Sequence, residues 1–222
     1  MSSKIDTILF DWDGTLAQTL EVWLQTFKEA YAKVGVHPSD KDISSKFGKW
    51  DAYIDLGVAP KNFETYNQHL DVVYERLKKV ELYPGVKSTL IDLKQKGYKL
   101  GLVSTSTLKM LSVALKNHDI SHLFDVIISA DDTDKHKPDP TPLYLALDHI
   151  NSDKISTVFV GDSDKDTGAA NNANIPLFLF TPSHHELFYD LNELKNEPAV
   201  KASFETWNDF PMEALSPAVG SR

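Results

Sequence analysis

The chain has 222 residues, 41% hydrophobic and 25% charged, with a formal net charge of −9 and no cysteine. That length allows one large domain or a core carrying a smaller insertion, in a composition ordinary for a globular protein. The acidity, with no long basic stripe to offset it, argues against nucleic acid as the main partner, and the lack of cysteine excludes disulfides, thiolate chemistry and cysteine-ligated zinc.

Met1-Ser2-Ser3-Lys4-Ile5-Asp6 lacks the apolar centre of a secretory signal, and no apolar run approaches the roughly 20 residues that cross a bilayer. A cytoplasmic protein without membrane contact is expected. Thr7-Ile8-Leu9-Phe10 is short, apolar and rich in strand formers, which predicts a buried parallel strand. Gly14 then breaks the run, leaving Asp11 and Asp13 at the strand's carboxyl end, where open α/β sheets bind ligands. Alternate strand residues point the same way. Two aspartates so placed repel one another unless a cation or a positively charged substrate compensates them. The bland alternative is a polar Asp-Gly turn.

Val22, Trp23, Phe27, Ala30, Tyr31 and Val34 recur at helical spacing, and Gly35 closes that helix. Residues 36–62 read as short amphipathic pieces broken at Pro38, Gly48, Gly57 and Pro60. A longer helix is predicted over 61–80, with Tyr66, Leu70, Val73, Tyr74 and Leu77 on one face. With no convincing strand between residues 17 and 83, an all-helical insertion is expected there. Tyr83-Pro84-Gly85-Val86 turns the chain back to alternation: helix 86–96, strand 100–103, helix 107–117, strand 126–128, helix 141–150, strand 157–160, helix 165–173 and strand 177–180. Such alternation predicts an α/β fold, a doubly wound Rossmann-like parallel sheet with helices on both faces. The expected organisation is a core of residues 1–16 and 84–215, a helical cap of 17–83, and a flexible tail of 216–222. Within 183–215, Leu187, Leu191 and Leu194 suggest a helix, and the rest is read as packing along the sheet.

The polar strand exits carry the chemistry. Ser104-Thr105-Ser106 follows the second strand, Lys135-His136-Lys137-Pro138 the third, and Gly161-Asp162-Ser163-Asp164-Lys165-Asp166 the fourth. In a parallel sheet these ends share one edge, so groups distant in sequence converge. Carboxylates, a hydroxyl and a lysine together suit a hard cation plus a phosphate, and oxygen ligands suit magnesium.

In these motifs the chain resembles the haloacid dehalogenase superfamily of phosphohydrolases, in the helical-cap branch that includes phosphoglycolate phosphatases and β-phosphoglucomutases. The likeness rests on Asp11 to Thr15, Ser104, Lys137 before Pro138, and Gly161-Asp162 with Asp166, in that order. It implies that Asp11 is the nucleophile that forms an aspartyl-phosphate, and that Asp13 is the general acid and base. It further implies Mg2+ held by Asp11, the Asp13 carbonyl and Asp162, with Asp166 as ligand through water or as outer support. Ser104, the Thr105 N–H and Lys137 would hold the phosphoryl oxygens.

Other residues have plainer readings. Lys135 is expected to be a surface charge, Asp164 an exposed group at a helix start, and Trp12 a hydrophobic spacer under the cap. His184 and His185 are read as exposed loop histidines rather than rim groups. For substrate selection the candidates are Thr19, Lys46, Lys49 and Trp50, with Gln18 and Trp23 also near the hinge; the alternative is a helix end with Phe47 and Trp50 in the cap's interior. The substrate is expected to be a small phosphorylated metabolite, and the protein a monomer or weak dimer. A sugar phosphomutase is the nearest rival, although Trp23 stands where those enzymes usually place a histidine. A non-catalytic binding protein on the same fold is a further alternative.

Overall fold

Thr7–Phe10 forms β1, whose four residues are all buried. Ile8 and Phe10 enter one hydrophobic layer and Leu9 the other. A strand dry on both faces belongs inside a sheet covered on both sides. The computed structural model describes residues 4–47 and 52–215, so Lys49, Trp50 and the 216–222 tail lie outside the described residues. The sheet is completed by β2 (Lys99–Val103), β3 (Val126–Ile128), β4 (Thr157–Gly161), β5 (Leu177–Phe180) and β6 (Val200–Phe204). Its order is β3-β2-β1-β4-β5-β6, and every neighbouring pair is parallel. The winding direction reverses between β1 and β4, which opens a crevice at their carboxyl ends.

Between β1 and β2 the chain forms α1 (Thr19–Lys33), α2 (Asp40–Ser44), α3 (Ala52–Asp55), α4 (Phe63–Leu70), α5 (Val72–Leu77) and α6 (Val86–Gln95). Later come α7 (Leu108–Asn117), α8 (Thr141–Ile150), α9 (Asp164–Ala173) and α10 (Leu191–Lys195). Buried residues of α6 and α7, such as Leu90, Leu93 and Leu111, join the layer of Phe10. Those of α8, α9 and α10, such as Leu143, Ala170 and Leu191, join the layer of Leu9. Ala30, Tyr31, Ile43, Val58 and Tyr66 make a separate cluster within the α1–α4 segment. Where the chain enters and leaves this segment, its two crossings bond to each other: Gln18 N donates to Glu81 O at 2.9 Å and Tyr83 N to Leu16 O at 3.0 Å.

One expectation is corrected. The single helix over 61–80 is instead a 3-10 turn at Pro60–Asn62 followed by α4 and α5. At the junction the backbone stays right-handed, but Asp71 N reaches Asn67 O only at 3.3 Å. Tyr66, Val73 and Leu77 are buried, whereas Tyr74 is exposed. The 183–215 region holds the expected helix, α10, and packs along the sheet as a sixth strand, β6, followed by an aromatic plug in which Trp207 stacks on Phe210 at 5.6 Å and donates to Thr15 O at 3.1 Å. Trp12 packs within the core layer of Phe10.

Candidate active site

Asp11 extends the β1 ladder by one residue, its N–H donating to Val160 O at 2.9 Å. Its carboxylate is buried, and Lys137 Nζ donates to Oδ1 at 2.5 Å. The same ammonium donates to Asp166 Oδ1 at 2.7 Å and lies 5.5 Å above the Phe159 ring centre. Burial works against the Lys137 charge, but Asp11 and Asp166 outweigh it and hold the ammonium above its ordinary range. For Asp11 the balance is the reverse. Burial first, then the nearby Asp166, push its carboxyl up to about 8 although Lys137 opposes them.

Asp13 stands beside it, partly buried, with Ser106 Oγ donating to Oδ2 at 2.8 Å and Ser104 Oγ at 3.2 Å. Ser104 Oγ also accepts the Ser106 N–H at 2.9 Å, so the turn after β2 is built around one hydroxyl. Burial raises Asp13 above the usual carboxylate range against these hydroxyl donors. The turn after Asp13 is tight: Gly14 has φ +77°, and its N–H meets Ala17 O at 3.0 Å and Thr19 Oγ1 at 3.0 Å. A side chain at Gly14 would begin 2.5 Å from Asp162 Oδ2, so the loop after β1 lies directly on the carboxylate after β4.

Asp162 accepts from Thr15 Oγ1 at 2.7 Å through Oδ1, while Oδ2 is buried with no hydrogen-bond partner. Burial and the neighbouring Asp166 raise its carboxyl well above the ordinary value. Asp166 is fully engaged by protein. Its Oδ2 accepts from Ser163 Oγ at 2.6 Å and from the N–H groups of Ser163 and Asp162 at 3.1 and 3.2 Å, capping α9. Oxygens of Asp11, Asp162 and Asp166 lie within 4.8 Å of one another. Three carboxylates against one ammonium, with one oxygen orphaned, is an environment that a hard divalent cation fits.

Above this cluster lies a cleft of about 300 Å³. Its floor is Asp11, Asp13, Thr105, Ser106 and Lys137; Thr19, Leu20, Trp23, Phe27, Lys46 and Phe47 form the helical side. The two sides meet where Phe47 packs on Phe188 at 5.1 Å and Ser44 Oγ donates to Leu187 O at 2.6 Å.

Strand topology thus brings Asp11, Asp13, Ser104, Thr105, Lys137, Asp162 and Asp166 to one place. Thr19 is buried against Gly14 as well as facing the cleft. Lys46 lines the cleft with its ammonium 2.8 Å from Asp55. Gln18 is committed to the joint, donating to Leu82 O at 2.9 Å. Lys135 and Asp164 are exposed.

The histidine expectation needs correction. His184 is half-exposed beside Glu21, but His185 is completely buried, with Nδ1 3.4 Å from Asp162 Oδ2 and Nε2 2.9 Å from the Tyr83 hydroxyl. Burial, followed by neighbouring His184, lowers its pKa to about 3, so the ring is neutral. The sequence reading gave no individual role to Ser106, Thr15 or Tyr83 and set His185 aside as an exposed loop residue. The Ser104-Thr105-Ser106 run and Thr15 in the first motif were available signals, whereas Ser183-His184-His185-Glu186 reads as an ordinary polar loop.

Comparison with known proteins places this geometry in context. Residues 8–180 match the family model described as haloacid dehalogenase-like hydrolase. The pyrophosphatase PpaX of Halalkalibacterium halodurans is 31% identical over 185 residues, 78% of this chain and 81% of that protein. Among solved structures, a candidate phosphoglycolate phosphatase from Lactobacillus plantarum superposes with a TM-score of 0.74 at 28% identity, covering 96% of this chain and all 100% of that one. A β-phosphoglucomutase from Clostridium difficile gives 0.73 at 20% identity, covering 95% of each chain, a likeness of fold alone.

Proposed function

The chain belongs to the haloacid dehalogenase-like hydrolases and is a phosphatase acting on a small phosphorylated substrate; from that membership we propose a magnesium-assisted hydrolysis through an aspartyl-phosphate on Asp11. The observation that carries this reading is the buried Asp11 carboxylate, paired with Lys137 at 2.5 Å and opening onto the cleft. Asp11 Oδ attacks phosphorus as the bond to the leaving oxygen breaks. Asp13 gives that oxygen its proton; its raised pKa, set by burial, lets it hold one. It then takes a proton from the water that attacks the aspartyl-phosphate, which frees phosphate and restores Asp11.

Lys137 serves two tasks in this scheme, neutralising Asp11 and offering positive charge to a phosphoryl oxygen. The Thr105 N–H and the Ser104 hydroxyl complete the phosphate cradle, while Ser106 keeps Asp13 in place when Ser104 turns away. Asp11, the Asp13 carbonyl and Asp162 would hold a magnesium ion, in keeping with the orphaned Asp162 Oδ2. When bound, the ion supplies charge that keeps Asp11 ionised beside an incoming phosphate. Asp166, with Oδ2 occupied by the α9 cap and Oδ1 by Lys137, acts as support rather than as a direct ligand.

The segment 17–83 is read as a cap over a core of residues 1–16 and 84–215. Its cleft face offers Leu20, Trp23 and Phe27 beside Thr19 and Lys46. Trp23 can neither give nor take a proton from a sugar hydroxyl, which favours hydrolysis over the mutase reaction. The relatives' names direct the first substrates to test: pyrophosphate and phosphoglycolate, within a wider panel of phosphorylated metabolites. Phosphate release should require magnesium and vanish in Asp11→Asn with the fold retained. Release that persists in Asp11→Asn would remove Asp11 as nucleophile.

A further inference from the structure

Outside the aspartate cluster, Glu21, His184 and His185 gather one carboxylate and two imidazoles, with a donor atom of each within 4.8 Å of the others. Glu21 lies in the first turn of α1, and the histidines are neighbours in the Ser183–Leu187 turn after β5. The group therefore spans the joint between the helical segment and the sheet. His184 Nε2 is 2.8 Å from Glu21 Oε1. The Tyr83 hydroxyl is 2.9 Å from His185 Nε2 and 3.2 Å from the same Glu21 oxygen.

The protons in this cluster do not match its lone pairs. His185 Nδ1 is buried without a hydrogen bond, 3.4 Å from Asp162 Oδ2; with the ring N–H placed on that side, Nε2 is an acceptor. Acceptors are then Glu21 Oε1, Glu21 Oε2 and His185 Nε2. The available donors are one Tyr83 O–H and one His184 N–H. One acceptor is left over, and Glu21 Oε2 is indeed buried without a partner. Surplus lone pairs converging from three side chains are what a cation satisfies.

We propose that Glu21, His184 and His185 form a second metal site, selective for a borderline transition ion such as Zn2+ or Co2+, that ties α1 to the turn after β5. Imidazole nitrogens favour such ions, whereas magnesium prefers oxygen ligands and retained waters, so the two sites sort their ions by chemistry. Tetrahedral coordination at about 2.0–2.1 Å places donors about 3.4 Å apart; the present donor atoms lie within 4.8 Å of one another, with His184 Nε2 and Glu21 Oε1 at 2.8 Å. A metal-bound imidazole typically directs its other N–H to a carboxylate; Asp162 Oδ2 stands 3.4 Å from His185 Nδ1, neither atom has a hydrogen bond here, and a small rotation of the ring on metal binding would join them. The His184 and Glu21 side chains are 48% and 39% exposed, which gives an ion a route in from solvent.

The test uses the full chain in excess magnesium, titrated with Co2+ and followed by visible absorption, with Zn2+-dependent thermal unfolding in parallel. The expected result is one Co2+ bound with the d–d absorption of a nitrogen-ligated ion, and a rise in Tm with Zn2+. His184→Ala and Glu21→Gln should each weaken Co2+ binding at least tenfold, while Asp11→Asn leaves it unchanged. The proposal is overturned by absence of the band in the unsubstituted chain, or by a band that survives both substitutions. Loss of the band in Asp11→Asn would also overturn it, by assigning the ion to the aspartate cluster.

Discussion

Replacing Gly14 with alanine adds one carbon at φ +77°, placed 2.5 Å from Asp162 Oδ2 and 3.0 Å from Leu20 Cδ1. Packed interiors do not absorb such overlap freely, so the carboxylate must retreat by about 0.9 Å to reach ordinary contact. Thr15 holds the other oxygen of Asp162 at 2.7 Å, which makes the retreat a displacement of the whole group. A shift of about 1 Å at a reacting centre costs on the order of 100-fold in rate. The backbone adds a separate penalty: about 1–2 kcal/mol for a side chain in the left-handed region. A stiffer unfolded chain offsets about 0.4–1 kcal/mol of it. The net of about 1 kcal/mol lowers Tm by about 2–4 °C in a chain of this size. Gly97 provides the control, since its φ is +86° and nothing lies within 4 Å of the added carbon. Gly97→Ala should therefore show the same kind of Tm loss with full activity, whereas Gly14→Ala loses about 100-fold and needs more magnesium. Phosphate release, magnesium titration and thermal unfolding of both variants decide the matter. Equal activities would refute the claim that Gly14 sets the position of Asp162.

Ser106→Ala removes a 2.8 Å donor from Asp13, and one hydrogen bond to a charged group is worth about 1.5–3 kcal/mol, or roughly 10–100-fold in rate. Because Ser106 lowers the Asp13 pKa, its loss should also move the high-pH limb of the rate profile, where the general acid loses its proton, to higher pH; an unmoved limb would place Ser106 outside this role. In the metal-free chain, burial and Asp166 raise the Asp11 pKa to about 8. A carboxyl raised on folding adds stability that is complete below its unfolded value near 3.8 and is lost as pH rises through about 8. The Tm gain on adding magnesium should consequently grow from pH 5 to pH 9, and a constant gain would show Asp11 already ionised throughout. In the helical segment, Glu29 is lowered to about 2, mainly by its hydrogen bond from Arg76. That stability is present above the ordinary glutamate value of 4.5 and lost as pH falls through about 2. Arg76→Ala should then cost about 0.2–1 kcal/mol in urea unfolding at neutral pH, and a difference undiminished at acid pH would reject the pairing.

The parallel sheet was legible because its strands announce themselves twice, by apolar runs and by the helices between them. Thr7–Phe10, Leu177–Phe180 and their neighbours are buried on both faces, so alternation was not needed to find them. β6 offers no such run. Val200 to Phe204 alternates partly buried and exposed residues, the pattern of an edge strand, and its pairing with β5 slips by one residue after Leu177. The α4–α5 break was hidden for the opposite reason: the apolar stripe continues across Asp71, and only the backbone shows the interruption.

The site was legible to the extent that its chemistry sits at strand ends. Asp11, Ser104 and Asp162 each follow a strand directly, and the sheet order makes β1 the neighbour of both β2 and β4. His185 had no such marker, since its burial depends on Tyr83, Phe180 and Phe188 packing around it from distant positions. The charge balance explains why the legible residues are not the whole site. Lys137 is a buried cation on the cleft floor, yet its ammonium is shared between two carboxylates. A chain of net charge −9 that admits a phosphate must add positive potential there. Lys46, across the cleft and 2.8 Å from Asp55, is partly neutralised as well. On the proposed mechanism, the acidic cluster that repels the substrate is also what a divalent ion would offset, and removing magnesium should abolish phosphate binding before it affects the fold.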